Sequence, residues 1–416
     1  MLSDEVLERI TNAIAKRMEE GNEYIIKQIA KTIKQIGEMT PTQASQMVQI
    51  FKYGGDYEKM VRKLSQLTKL TQKDIRKVFE AEAKKDLKFS KQFYEYRNKK
   101  YIPWEENIAL QNEVKAMANI VAKDIQGITN KDVLGLGVVD KEGEIVYKKL
   151  KKAYYYIIDR CVLSISQGKD TYSSLMYKQI KELGENGLKV IYPTTYIDKD
   201  GIVRHHTRRL DSALRMNIMD SIRALHNETQ EELGKQFGSD GVEITVHSNP
   251  APDHAEVQGR QFKKEEYEKF QNHETAKTYT GQVIDPIHKG RERRQISQYN
   301  CYHNARHIIL GVNKPQYSEQ ELQEIQRDNE KGFEYKGRHY TMYEGTQLQR
   351  RIETEIRKQK EFQMSAVASG NEQGIIKAQT KITKLNKEYR AISEASGLSE
   401  KRNRTRVPGY KRTSVN

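Results

Sequence analysis

The sequence predicts an α+β fold, mainly α, in which long amphipathic helices flank a small central module with short strands and a His/Cys loop region. Three observations predict it. Apolar residues recur at helical spacing through both ends of the chain. β-Branched residues, turn dipeptides and five of the eight prolines gather between Pro193 and Pro315. All ten histidines fall between His205 and His339.

In chain order, Ser3 caps a first helix with Asp4 and Glu5 in its first turn, and Val6, Ile10, Ile14, Met18, Ile25, Ile29, Ile33 and Ile36 form its apolar stripe. Thr40 and Pro41 open a second helix that Gly54-Gly55 ends. Thr71-x-x-Asp74 reads as a capping signal for a third. Pro103 and Trp104 mark a junction before a helix over Glu105 to Asp124. "LGVVDKEGEIVYKKL" fits either a hairpin turning at Lys141-Glu142-Gly143 or a loop. Helices resume near Lys149 and again near Thr171, with stops at Gly168 and Asn186-Gly187. "LKVIYPTTYIDKDGIVRHHTRRL" predicts short strands around an Asp200-Gly201 turn. A strong helix follows, with Leu210, Leu214, Ile218, Ile222, Leu225, Thr229 and Leu233 on one stripe. "GVEITVHS" is a strand running into a histidine loop, and "FEYKGRHYTMY" a hairpin turning at Lys336-Gly337. Two polar helices span Thr346 to Ala391 and break near Gly370. The resulting division is 1–148, a helical N-terminal region; 149–345, a central α+β module with the His/Cys motifs; 346–400, C-terminal long helices; and 401–416, a basic flexible tail.

Of the 416 residues, 36% are hydrophobic and 31% charged, so much polar surface stays exposed. The net charge of +15 favours an anionic partner, with nucleic acid the first choice. From Gly345 to Asn416 there are 16 Lys+Arg and 7 Asp+Glu. The bland reading of that surplus is a solvated helical face and a frayed end; the functional one is DNA contact. The last 16 residues hold six basic groups and no acid: Lys401, Arg402, Arg404, Arg406, Lys411 and Arg412. They read as disordered unless a partner holds them, and as nucleic-acid contacts when one does. Cys161 and Cys301 are too few for a disulfide framework and fit a reducing compartment. The N-terminus is no signal peptide, and no segment nears the roughly 20 apolar residues that span a bilayer, so no membrane partner is expected.

Four residues stand out as metal ligands: His247, His254, Cys301 and His303. Cys301 and His303 sit at i, i+2, which on an extended segment points both side chains one way. Cys and His together suit a closed tetrahedral zinc site. The competing reading is four separate hydrogen-bonded residues. His303 and His307 at i, i+4 would share a face if this segment were helical, but Asn304 stands where a metalloprotease helix has Glu. A Cys301–His nucleophilic pair is chemically conceivable, with no recognisable orienting group or oxyanion hole. No phosphate loop is present. His205, His206, Arg208 and Arg209 form a small basic cluster, read as a solvated lead-in to the helix that follows rather than as a phosphate site.

"HSNPAPDHAEVQGRQF" and, some forty residues on, "NCYHNARHIILGV" together resemble the paired motifs of tailed-phage minor capsid proteins of the phage minor capsid protein 2 type, themselves distantly similar to Mu-type head-morphogenesis proteins. The matching positions are His247, His254-Ala255 and Gln258-Gly259 in the first motif, and Asn300, Cys301, His303 and Gly311 in the second. "TRRLDSALRMNIMDSIRALHNETQEELG" resembles the helix before the first motif, and "FEYKGRHYTMYEGTQLQRRIETEIRKQK" the Tyr-rich hairpin and helix after the second. Tyr302 stands where the family carries Arg, and Val257 where it carries an aromatic.

The resemblance implies a structural, non-enzymatic head protein of the virion, assembled in the host cytoplasm. Its implied partners are the portal protein, other capsid proteins and packaged double-stranded DNA, and one structural zinc is the expected cofactor. Two other classes stay open at this point: a Cys/His-dependent enzyme acting on nucleic acid or protein, and a free-standing basic DNA-binding protein.

Overall fold

The structure, a computed structural model, describes residues 4–197, 201, 203–252, 254–271, 296, 301 and 303–413. The fold is α+β and mainly α, with small antiparallel sheets. Helix α1 (Asp4–Gly37) is a single long rod, and Ile14, Met18, Ile25, Ile29, Ile33 and Ile36 on its stripe are all buried. Ser3, its expected cap, lies outside the described residues. Helix α2 (Pro41–Tyr53) opens on a complete capping box, with Thr40 Oγ1 accepting from Gln43 N and Gln43 Oε1 from Thr40 N. Helix α3 (Asp56–Tyr96) runs straight through the expected break at Thr71. Thr71 is buried there, and its hydroxyl donates to Leu67 O at 2.9 Å. The local capping signal loses because Leu64, Leu67, Ile75 and Phe79 continue one apolar stripe across it. Helix α4 (Ile108–Ile128) follows the Pro103-Trp104 junction, capped by Asn107.

The ambiguous segment is a hairpin, β1 (Leu134–Val139) and β2 (Ile145–Lys149). Helices α5 (Leu150–Ser166) and α6 (Lys169–Asn186) lead to β3 (Lys189–Ile197) and β4 (Val203–Arg209). These strands form one antiparallel sheet in the order β2-β1-β3-β4, so strands on both sides of residue 149 share a sheet. The β3–β4 register shifts between Ile191 and Thr195. Pro193 lies in that gap, where its missing N–H breaks no ladder bond. Helix α7 (Leu210–Phe237) buries the whole predicted stripe from Leu210 to Leu233.

A second sheet, ordered β6-β5-β7, joins β5 (Gly241–Ile244), β6 (Gln261–Lys263) and β7 (Ala305–Ile308), with α8 (Lys264–Gln271) after β6. Helix α9 (Glu319–Lys331) precedes the hairpin β8 (Phe333–Tyr335) and β9 (Arg338–Tyr340). Its turn residues Lys336 and Gly337 both have positive φ, 50° and 73°, as a two-residue hairpin of the primed type requires. Helices α10 (Met342–Ser369) and α11 (Glu372–Ser396) break at Gly370 as expected.

Residues 401–413 depart from the flexible tail expected over 401–416. A 3-10 turn (Arg402–Thr405) is followed by chain that lies back on α10 and α11. Thr405 and Val407 are buried, Lys401 N donates to Tyr389 Oη at 2.7 Å, Lys360 Nζ to Thr405 O at 2.6 Å, and Tyr410 Oη to Gln363 Oε1 at 2.6 Å. Composition alone reads this segment as disordered because it hides the few anchors set among the charges.

One hydrophobic cluster joins α1, α3, α7, the first sheet and the adjoining ends of α10 and α11. The second sheet has its own small cluster around Val242, Ile244, Val257, Phe262, Ile296 and Ala305. Helices α6 and α10 cross very closely: a Cβ on Gly184 would lie 2.2 Å from Phe362 Cα. Backbone cannot yield there as a flexible side chain would. Gly184→Ala is therefore expected to cost about 3 kcal/mol and to lower the melting temperature by roughly 5 °C. An unchanged thermal unfolding midpoint would show that the two helices are not held at this spacing.

Candidate metal centre

The His/Cys residues are brought together by the second sheet. Strand β5 pairs with β6 on one side and β7 on the other, which closes the chain on both sides of the centre. Past the end of β5, Thr245 N donates to Asn304 O and Asn304 N to Thr245 Oγ1, both at 2.9 Å. The loop after β5 returns through Gly259, whose φ of +72° suits glycine and whose N–H donates to Ile244 O at 2.8 Å. A Cβ there would lie 2.4 Å from Leu322 Cδ2. Within the loop His254 heads a single turn, its carbonyl accepting from Val257 N and Gln258 N at 3.2 Å.

Three of the four expected ligands converge. Cys301 Sγ lies 3.1 Å from His254 Nδ1 and 3.5 Å from His303 Nδ1, and the ligand atoms of all three lie within 4.8 Å of one another. The i, i+2 spacing does place Cys301 and His303 on one side. All three are buried, at 0%, 2% and 3% exposure for His254, Cys301 and His303. The fourth, His247, packs edge-on against His303 with ring centroids 4.6 Å apart, and stands outside that convergent set.

The protonation pattern follows from obligatory donors. His247 N–H can only donate, and it reaches Gln258 at 2.9 Å, so the atom there is the carbonyl Oε1. The same Oε1 lies 3.0 Å from His303 Nε2, which must therefore carry the hydrogen. That leaves Nδ1 of neutral His303 as a bare lone pair facing Cys301 Sγ. Burial pushes His303 down to about 4 against the pull of Cys301, and so keeps the ring neutral. Burial alone would push the Cys301 thiol up; His254, the nearer ring, works against it, and the thiol lies well below its ordinary range. The sequence pointed to Gln258 only as a motif position, not as the residue that orients His303.

Among the described residues, these three fit three of the four tetrahedral positions of a zinc ion. Bonds of about 2.0–2.3 Å to N and S in a tetrahedron set ligand atoms roughly 3.3–3.7 Å apart, close to the spacings here. A ligating histidine also commonly donates its other ring N–H to an outer partner, as His303 does to Gln258. As a nucleophile the same cysteine is poorly placed, because its side chain is buried among the two imidazoles.

His307 does not join the centre. Residues 303–308 are extended rather than helical, so i, i+4 carries no shared face, and His307 Nε2 instead meets Glu231 at 3.0 Å. His205 and His206 are exposed on β4. Arg209 corrects the expected solvated lead-in: its side chain is 11% exposed, its Nη2 donates to both oxygens of Glu361 at 2.7 and 2.8 Å, and its Nε meets Asp211 at 3.2 Å. Of the six basic residues near the C-terminus, Arg404 lies 3.7 Å from buried Glu353, while Lys401, Arg402, Arg406, Lys411 and Arg412 are exposed. A second buried group gave no sequence signal. His226 Nδ1 donates to Asp86 at 2.6 Å, with Glu82 at 3.8 Å, and ties α7 to α3. Asn300 and Tyr302 lie outside the described residues. No helix among the described residues is long and apolar enough to cross a membrane.

Neither the curated proteins nor the solved structures include a significant match to this chain. The family model of phage minor capsid protein 2, in contrast, matches residues 2–392, a span that takes in both sheets, the long helices and the His/Cys centre. On that near-complete match, the chain belongs to the phage minor capsid protein 2 family.

Proposed function

We propose that this minor capsid protein is a structural part of the phage head, seated at the portal vertex against the portal protein and the packaged double-stranded DNA. The observation that carries the reading is the family match over residues 2–392. A shell built from many equivalent subunits offers equivalent sites, so a component present in few copies needs a place where that symmetry is broken. The portal vertex is such a place. The net charge of +15 supports contact with DNA through its phosphates. Assembly in the host cytoplasm follows from the same role.

His254, Cys301 and His303 would hold one zinc ion as a structural staple, with Gln258 orienting His303. Bound there, zinc would supply a cross-link between the loop after β5 and the segment leading into β7. The burial of Cys301 favours this reading over a Cys/His-dependent enzyme.

The seat is tested by locating the protein in heads reconstructed without imposed symmetry. Density at one vertex, lost when the gene is deleted, is expected. Density spread evenly over all vertices or faces would overturn the portal placement.

A further inference from the structure

A groove of about 850 Å³ runs between α1, the start of α7, α10 and the C-terminal 3-10 turn. Eight Lys or Arg side chains line it against three carboxylates. The carboxylates are buried and engaged: Asp211 and Glu19 lie 3.3 and 3.2 Å from Arg357, and Glu353 accepts from Tyr389 Oη at 2.7 Å. Burial and then the Asp211 carboxylate push Glu19 up to about 8, against the pull of Arg357, which weakens the negative side further. Arg208, Arg402 and Arg406 are exposed along the same groove.

We infer that this groove is a seat for the phosphodiester backbone of DNA, built by four separate parts of the chain. It rests on the DNA contact proposed above and gives that contact a location. Guanidinium groups match phosphate oxygens in paired hydrogen bonds. Cations spread along a groove, rather than converging on one point, suit a polymer of regularly spaced phosphates. The C-terminal arginines reach it on a folded wall, anchored by Thr405, Val407 and Tyr410, so less conformational freedom is lost on binding than with a loose tail. Lys411 and Arg412 do not line the groove. Contacts of this kind read no sequence and weaken with salt.

The test is binding of the full chain to a short mixed-sequence DNA duplex, followed by fluorescence anisotropy over a salt series. Arg208→Gln, Arg402→Gln and Arg406→Gln are combined in one variant, and Lys84→Gln, Lys88→Gln and Lys91→Gln, exposed on α3, in a control that loses equal charge. The groove variant is expected to lose about tenfold or more in affinity and to flatten the salt dependence by roughly two to three in slope, while the control changes less than about twofold. Equal losses in both, or a larger loss in the control, would overturn the groove and leave DNA binding in place. A wild-type chain that binds no duplex at low salt would overturn the DNA contact itself, and the groove with it.

Discussion

Cys301→Ala protein is expected to carry no zinc after purification without chelator, and to melt roughly 10 °C below the wild type. The wild type should carry about one zinc per chain by elemental analysis. The reason is the position of the centre. The second sheet has a hydrophobic cluster far smaller than the main one, and its loop after β5 holds itself by one turn and a few backbone bonds. A structural zinc contributes its binding free energy to folding, on the order of 10 kcal/mol in small domains, and part of that would be lost here. His254→Ala should give the same result, since His254 Nδ1 lies nearer Cys301 Sγ than His303 Nδ1 does. Wild-type protein without zinc, or a Cys301→Ala variant that keeps it, would remove the staple and leave a buried polar cluster instead.

Arg209→Ala is expected to destabilise the fold by about 3–5 kcal/mol, because it takes the ion-pair partner from buried Glu361 and leaves buried Asp211 with Arg357 alone. Arg209 bonds Glu361 through two hydrogen bonds, meets Asp211, and also donates to Glu185 O at 3.0 Å. Asn22 on α1 joins the same group, donating to Glu361 at 3.3 Å and accepting from Leu188 N at 2.7 Å. Burial pushes Glu361 up, and Arg209 works in the opposite direction. Adding Glu361→Gln to Arg209→Ala should therefore recover part of the loss, because a neutral amide is cheaper to bury unpaired than a carboxylate. Arg209→Lys should recover little, since one ammonium cannot reach Glu361, Asp211 and Glu185 O together, which three different guanidinium nitrogens serve. Chemical denaturation of the three variants checks this, and strictly additive effects would rule out the coupling.

Local chemistry made much of this legible beforehand. Thr40, Pro41 and Gln43 define a helix start within four residues, and Lys336-Gly337 defines a turn within two. The stripe on α7 needs only its own periodicity. Cys301 and His303 were readable as a pair because an extended backbone fixes their common direction. What escaped depends on residues far apart in the chain. Arg209 looks solvent-facing until Glu361, 152 positions later, folds against it. Thr71 carries a cap signature that the long stripe of α3 overrides. The basic C-terminal residues conceal Val407 and Tyr410, whose anchoring sites are built by α10 and α11.

The meeting of α1 with α10 and the C-terminal segment has a further consequence for synthesis. Arg357 on α10 pairs with Glu19, and Asn22 with Glu361, so the first helix finds these partners only after more than three hundred further residues have been made. At roughly 5–20 residues per second, a ribosome holds that helix incomplete for tens of seconds. A chain cut short before residue 357 would leave Glu19 and Asn22 of α1 without these partners. Synthesis past residue 361 thus acts as a length check on the fold: a copy that stops earlier cannot close its own first helix.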